Sequence, residues 1–275
     1  MAVWNRGPRP RAGQPVSSVR VRWPSRRTLR VAVKRTLDIV VAAFALIMLV
    51  PLLVAIALLV KLDSPGPVFH RDTRVGFHGR PLRMLKFRKM RVDARGRALT
   101  LARDERLTRF GAWLATTKLD ELPQLWHVLR GDMSLVGPRP ESPSWVARYS
   151  ADYHVILSVR PGLTGYTQLA FTQEGLILDP RDPERHYVTG LLPQKVALDR
   201  LYARHLSLGR DLRILGATIL TLVFRQPVAV DRATGRLRLR RRPRVDAPAP
   251  VPDPVAPEVP PPTPALADAS AEGPP

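Results

Sequence analysis

The sequence predicts a helix-rich α/β fold held at a membrane by one N-terminal apolar segment. Three observations predict it. Ile39 to Val60 is a run of 22 residues without a charge. Leu82 to Phe87 alternates in the manner of a strand. Leu119 to Arg130 places Leu122, Leu125, Trp126 and Leu129 on one helical face, at spacing i, i+3, i+4, i+7.

The elements follow in chain order. Residues 1–33 read as a disordered basic segment of Pro, Arg, Gly and Ser without periodicity. Residues 34–62 carry the apolar run, which as a helix is about 33 Å long and able to cross a bilayer. Its length and late start argue against a cleaved signal peptide. Pro51 removes a backbone hydrogen bond near its middle and predicts a break. Basic residues flank it on both sides: Arg26, Arg27, Arg30, Lys34 and Arg35 before, Lys61, Arg71, Arg74, Arg80, Arg83 and Lys86 after. A spanning helix keeps its basic flank on the cytoplasmic side. Two basic flanks suit a helix that re-enters the same face, and a single-pass anchor is the competing reading.

Residues 63–225 read as the folded domain. Ser64-Pro65-Gly66-Pro67 is a turn. Val68-Phe69 and Leu82–Phe87 are short strands, and residues 100–118 a polar helical stretch. In Leu119–Arg130, Asp120 suits the N-cap, Pro123 the first turn and Gly131 the C-terminal stop. Arg160 to Gln168 is a turn-rich connection. Leu206 to Phe224 is an amphipathic helix suited to a bilayer surface. Residues 226–275 are Arg-rich and then Pro-rich, with twelve prolines from Pro243 to Pro275, and read as disordered.

Composition narrows the chemistry. No cysteine is present, so disulfides and thiolate metal sites are excluded. Lys+Arg total 44 against 23 Asp+Glu, a net charge of +21 that implies an acidic partner: nucleic acid, anionic lipid or a phosphorylated substrate. No nucleic-acid motif is present. The six histidines, His70, His78, His127, His154, His186 and His205, have no ligand spacing.

Against that basic background Asp120 and Glu121 stand side by side. They suit a helix cap and its dipole. The same helix start favours a phosphate beside it, and a carboxylate held there stays ionised. Arg139, between Pro138 and Pro140, is a guanidinium on a stiff loop, able to grip phosphate with two donors or to stay solvated. Lys86 and Arg88 are phosphate candidates, or a basic strand edge over a charged membrane. Arg160 either faces the site or serves its turn.

The chain resembles the bacterial sugar transferases, the monotopic polyprenyl-phosphate phosphoglycosyl transferases. The residues that carry the resemblance are Lys34-Arg35 with Asp38, the proline-containing apolar run, SPGPVF at 64–69, RVGFHG at 74–79, KFRKM at 86–90, LDELPQLWHVLRGDMSLVGPRPE at 119–141 and RPGLTGYTQ at 160–168. It covers about residues 34–224. The resemblance implies a monotopic protein with a re-entrant helix, a small cytosolic catalytic domain and interfacial helices, at the cytoplasmic face of a bacterial plasma membrane. It implies transfer of a sugar 1-phosphate from a UDP-sugar to undecaprenyl phosphate, with UMP released, to start an exopolysaccharide or another glycoconjugate. It makes Asp120 the nucleophile, Glu121 the residue for Mg²⁺, and Arg139 a diphosphate contact. Anionic lipid of the inner leaflet is the expected surface partner, and no specific nucleic acid is expected. The alternative function is a membrane-anchored basic scaffold without catalysis.

The chain departs from the family pattern at several positions. Val50 replaces the serine before the proline, Asp72 a glutamine and Lys89 a threonine. Ala115 stands where the family has arginine, and Lys118 where it has serine. Lys118 is expected to restore the missing positive charge.

Overall fold

The computed structural model describes residues 26–94, 99–101 and 104–239, with side chains from residue 29 onward. Residues 1–25 and the Pro-rich stretch after 239 lie outside the described residues, as do the disorder expectations made for them.

Helix α1 (Arg26–Asp63) is 38 residues long, about 57 Å at helical rise. It begins eight positions before the expected start, inside the segment read as disordered. It also runs unbroken through Pro51, so the expected interruption is not there. Proline takes away one intrahelical bond, and the apolar turns on either side keep the helix going. A stripe along α1 faces the rest of the fold: Asp38, Ala42, Ile56 and Val60 are buried, and Leu46, Leu49 and Leu53 partly so. The other faces leave Phe44, Ile47, Met48, Val54 and Leu58 exposed. Its most apolar window has a mean hydropathy of 3.1 and is only 11% buried, a surface that belongs in lipid.

Both ends of α1 are tied to the same body. Near its start, Lys34 donates to Asp211 (2.8 Å) and to the Val136 carbonyl (3.1 Å). Arg35 donates to the carbonyls of Val128 (2.6 Å) and Leu129 (2.9 Å). Asp38 accepts from Ser134 Oγ (2.8 Å) and the Leu135 N–H (3.1 Å). Near its end, Ile56 and Val60 pack with Phe87 and Leu114.

After α1 come strands β1 (Phe69–Val75) and β2 (Pro81–Phe87), an antiparallel pair in register from Phe69 opposite Phe87 to Val75 opposite Pro81. Leu82, Met84 and Lys86 share the buried face, so a lysine occupies a position of the strand's apolar row. Among the described residues of the polar stretch 100–118, the helix is α2 (Arg109–Thr117).

The Leu119–Arg130 segment is two helices. A 3₁₀ turn covers Leu119–Gln124, and α3 covers Leu125–Arg130. Asp120 is not the cap: its side chain caps no N–H, and Lys118, in the left-handed conformation (φ 61°), opens the 3₁₀ turn. Gly131 closes α3 at φ 93°, as expected. Trp126 is 52% exposed, so it does not share the face that buries Leu125.

Strand β3 (Ser134–Val136) pairs in parallel with β4 (Gly162–Thr164), with α4 (Pro143–Arg148) and α5 (Ser150–Ile156) between them. Then follow α6 (Tyr166–Ala170), α7 (Glu174–Ile177), α8 (Pro183–His186), α9 (Leu192–Arg204) and α10 (Leu208–Leu222). The main core joins Leu82 and Met84 of β2, Leu125 and Val128 of α3, Val136, Leu192, Leu198, Tyr202 and Ile214. The tail does not start at residue 226. Strands β5 (Val228–Val230) and β6 (Leu237–Leu239) form an antiparallel hairpin whose Val228 is buried against that core.

Candidate active site

Three segments meet around the Asp120–Glu121 pair. The end of β2 delivers Lys86 and, three residues on, Lys89. The left-handed junction at Lys118 turns the chain from α2 into the 3₁₀ segment that carries the two acids. The loop after β3 carries Arg139.

Two close backbone approaches hold that loop. A Cβ on Gly162 would lie 2.0 Å from the Gly137 nitrogen, and one on Gly165 would lie 2.2 Å from the Gly137 oxygen. Gly137 N–H donates to Thr164 (2.9 Å), and Gly162 N–H to Pro138 (2.8 Å). Arg139 is therefore carried on a backbone braced against the RPGLTG turn.

The contacts are ionic. Glu121 Oε1 accepts from Lys86 Nζ at 3.0 Å and from Arg139 Nη2 at 3.1 Å. Asp120, 1% exposed, has Lys89 Nζ 3.1 Å from Oδ2, in ion-pair range but not aligned as a hydrogen bond. Neither Asp120 oxygen has a hydrogen-bond partner among the described residues. Burial would raise the Glu121 pKa, but Lys86 and Arg139 outweigh it and hold the carboxyl well below the usual range. The Glu121 charge in turn raises Arg139. Burial lowers the pKa of Lys86 against the pull of Glu121. Lys118 is lowered too, by burial first and then by Arg139.

Behind these residues lies a second buried network. Glu141 accepts from Tyr187 Oη (2.8 Å) and has Lys195 Nζ at 3.4 Å and Arg74 at 3.5 Å. Lys195 also pairs with Glu174 at 2.8 Å. Burial alone would raise Glu141, and Lys195 with Arg74 brings it below its ordinary value. Burial pushes Asp199 up to about 7 although Thr167 donates to it.

A cavity of about 250 Å³ opens beside the pair. Lys118, Glu121 and Arg139 line it, as do Glu174, Lys195 and Gln168. Asp120 is not among its lining residues.

The structure thus brings together Asp120, Glu121, Lys86, Lys118 and Arg139. Two other candidates are engaged elsewhere. Arg88 is 6% exposed and donates to the carbonyls of Val60 (3.3 Å), Ser64 (2.7 Å) and Pro65 (2.6 Å). It ties the end of α1 to the turn that follows, with Nε left without a hydrogen-bond partner among the described residues. Arg160 donates to the Gly131 carbonyl (2.9 Å) and stacks over Phe77, 5.0 Å from the ring centroid, away from the cavity. Sequence reasoning missed Lys89, Glu174, Lys195 and Gln168.

No group of three or more potential metal-ligating side chains is gathered among the described residues. Two adjacent carboxylates, one with both oxygens free of hydrogen bonds, have the hard oxygen chemistry that would suit Mg²⁺.

A family model described as bacterial sugar transferase matches residues 29–225. A UDP-glucose:undecaprenyl-phosphate glucose-1-phosphate transferase of Caulobacter vibrioides is 42% identical over 202 residues, which cover 70% of this chain and 72% of that protein. The transferase of the same description from Escherichia coli K12 is 38% identical over 192 residues, 68% of this chain and 39% of that protein. A UDP-N-acetylgalactosamine-undecaprenyl-phosphate N-acetylgalactosaminephosphotransferase of Aeromonas hydrophila is 36% identical over 196 residues, 70% of this chain and 44% of that protein. The chain thus spans less than half the length of the last two.

Proposed function

The chain belongs to the bacterial sugar transferase family, and from that premise we propose that it moves a sugar 1-phosphate from a UDP-sugar to undecaprenyl phosphate. The observation that carries the reading is one buried carboxylate without hydrogen bonds beside a second, with Lys86, Lys89, Lys118 and Arg139 around them.

Asp120 attacks the β-phosphorus of the donor. The bond from that phosphorus to the bridging oxygen breaks, and UMP leaves with the electron pair. Asp120 then carries a sugar phosphate as an acyl phosphate. A phosphate oxygen of the acceptor attacks the same phosphorus, the acyl bond breaks, and the carboxylate returns. Two in-line steps replace one transfer between two anions. Asp120 suits the first step because no hydrogen bond ties up its lone pairs. Lys118 and Arg139, on the cavity wall, bind and orient the diphosphate. Mg²⁺ held by the two carboxylates would supply charge neutralisation of the diphosphate. A non-catalytic scaffold gives the paired acids and their four cations no task.

The membrane part of the proposal is that both ends of α1 stay at one face, the cytoplasmic one, against anionic lipid, with Pro51 bending the helix without breaking it. Its support is that Lys34, Arg35 and Asp38 at one end, and Val60 at the other, are bound to one folded body.

The test is the purified protein with Mg²⁺, undecaprenyl phosphate and a panel of UDP-sugars. UMP release is expected from at least one donor and none from Asp120→Asn, and a trapped reaction carries the sugar-phosphate mass on the peptide of Asp120. Turnover by a folded Asp120→Asn protein overturns the mechanism.

A further inference from the structure

Apolar side chains line much of the cavity, among them Leu122, Leu135, Leu169, Phe171 and Leu215. Between them stand polar groups that the phosphoryl chemistry does not use: Thr164, Gln168, Thr172, Glu174, Thr218 and Thr221. Two of these are unusual. Gln168 gives its amide N–H to the Gly162 carbonyl (3.2 Å), but its Oε1 is shut off from solvent without a partner. Thr221 Oγ1 is equally buried and unpartnered. A buried oxygen without a donor costs about 1–3 kcal/mol, and a small rotation of either side chain toward the cavity would let a ligand complete it.

Glu174 narrows the class of ligand. Lys195 holds its carboxylate at 2.8 Å, and Lys195 is itself anchored by Tyr187 Oη at 3.0 Å and by Glu141. The wall therefore offers a fixed carboxylate and a bare amide oxygen, both acceptors. What fills it must bring several donors. An isoprenoid chain brings none and would leave Gln168 and Thr221 unsatisfied. Uracil brings one, its N3–H, and presents two carbonyl oxygens that a carboxylate repels. A hexosyl group brings three or more hydroxyls, and its C–H faces suit leucine and phenylalanine. The size agrees: about 250 Å³ is below the roughly 300–1,000 Å³ of sites that swallow a drug-sized molecule, and so suits one ring of a nucleotide sugar.

We propose that this cavity is the hexose subsite, and that Gln168, Glu174 and Thr221 read the sugar hydroxyls while Lys195 positions Glu174. The assignment rests on the transferase reading above. The attached phosphate then lies at Lys118, Glu121 and Arg139, which line the same space. Sugar choice is set by residues far in sequence from the acid pair.

The experiment compares wild type with Gln168→Leu and Thr221→Val, full length in detergent micelles with undecaprenyl phosphate. UDP-glucose competes against its C4 epimer UDP-galactose, and against UDP-N-acetylgalactosamine, for UMP release. The ratio of kcat/KM between the preferred donor and its competitors should change about tenfold or more in Gln168→Leu, because a site built around a hydroxyl rejects its absence or misplacement strongly. Inhibition by UMP, which has no hexose, should stay within about twofold. Thr221→Val keeps the side-chain shape and serves if Gln168→Leu does not fold. Equal loss of UMP affinity would give the cavity to the nucleotide. A change confined to the KM of undecaprenyl phosphate would give it to the acceptor. An unchanged donor ratio in both folded variants would also overturn the proposal. If wild type releases UMP from no donor, the transferase reading fails by itself. Titration of UDP-glucose against UMP then still reads the subsite, since the extra affinity from glucose must disappear in Gln168→Leu.

Discussion

Asp38→Ala should loosen the seam between the membrane helix and the catalytic loop. The Asp38 carboxylate is 4% exposed and accepts two hydrogen bonds from β3. Ser134 Oγ can turn to the Val136 carbonyl, 3.0 Å away, but the Leu135 N–H has no second acceptor there. A stranded buried N–H costs about 1–3 kcal/mol, and the lost bond from a charged acceptor to the serine adds about 1 kcal/mol after redirection. The total is about 3 kcal/mol. Asp38→Asn keeps an oxygen for Leu135 and an amide for Ser134, and should cost only about 1 kcal/mol. For a folded region of this size, about 3 kcal/mol lowers Tm by roughly 6–12 °C. Melting of both variants in the same detergent reads the difference. UMP release should fall in Asp38→Ala and persist in Asp38→Asn, because β3 leads directly into Gly137 and Arg139. An alanine variant within about 1 °C of wild type, or an asparagine variant as damaged as the alanine one, would refute the reasoning.

Three further outcomes are expected. Gly162→Ala should cost at least about 3 kcal/mol and abolish UMP release, since its Cβ would sit 2.0 Å from a backbone nitrogen that cannot yield; a stable, active variant would contradict the bracing role. Lys118 has a lowered pKa, so it loses its charge at a lower pH than an ordinary lysine, and donor affinity should fall on the alkaline side. Lys118→Arg, charged throughout, should move that limb to higher pH, and superimposable profiles would remove Lys118 from phosphate binding. Asp199 holds its proton to about pH 7 when folded and to about 3.9 when unfolded. Its contribution is thus complete at acid pH and disappears as pH rises through about 7. Between about pH 5 and pH 8 wild type should lose on the order of 2–3 kcal/mol more than Asp199→Asn, and parallel stability curves would reject the shift.

Much of this was legible in local pattern. The uncharged run, strand β2 and α10 follow from charge and periodicity alone. Lys86 is the clearest case: it stands in phase with Leu82 and Met84, and a lysine on a strand's buried row needs an acid partner. What escaped was long-range. The carbonyls that Arg88 and Arg160 meet belong to segments up to 29 residues away, out of reach of any local pattern. Asp120 looks like a cap because the 3₁₀ turn and the left-handed Lys118 are invisible to helix periodicity. The β5–β6 hairpin was hidden by its arginines, which point outward from a pair of short strands. A usable signal did exist in α9. Lys195 and Asp199 lie four apart, in phase with Leu192, Val196 and Tyr202, so helical spacing alone marks a charged pair on an apolar face, and with it a buried polar network.

The paired acids in so basic a chain now have a physical reason. Lys86, Lys89, Lys118 and Arg139 are drawn close to one another, and alone they would repel. Glu121 takes two of them on a single oxygen and fixes them before any substrate arrives. Among the described residues Asp120 pairs with Lys89 alone and keeps its lone pairs free of hydrogen bonds. One acid therefore organises cations while its neighbour stays available to react. Four positive groups against two negative ones leave an excess of two, which a diphosphate can neutralise without the side chains having to reorganise. Such preorganisation is worth most where water is scarce, and here both acids are sheltered from it. Exchanging the two residues, Asp120→Glu with Glu121→Asp, should thus keep the charge but lose turnover by orders of magnitude. The longer acid would reach past Lys89, and the shorter one would fall short of Lys86 and Arg139. UMP release by the double variant, with melting as the control for folding, reads this directly, and near-normal turnover would mean that the two positions are not specialised.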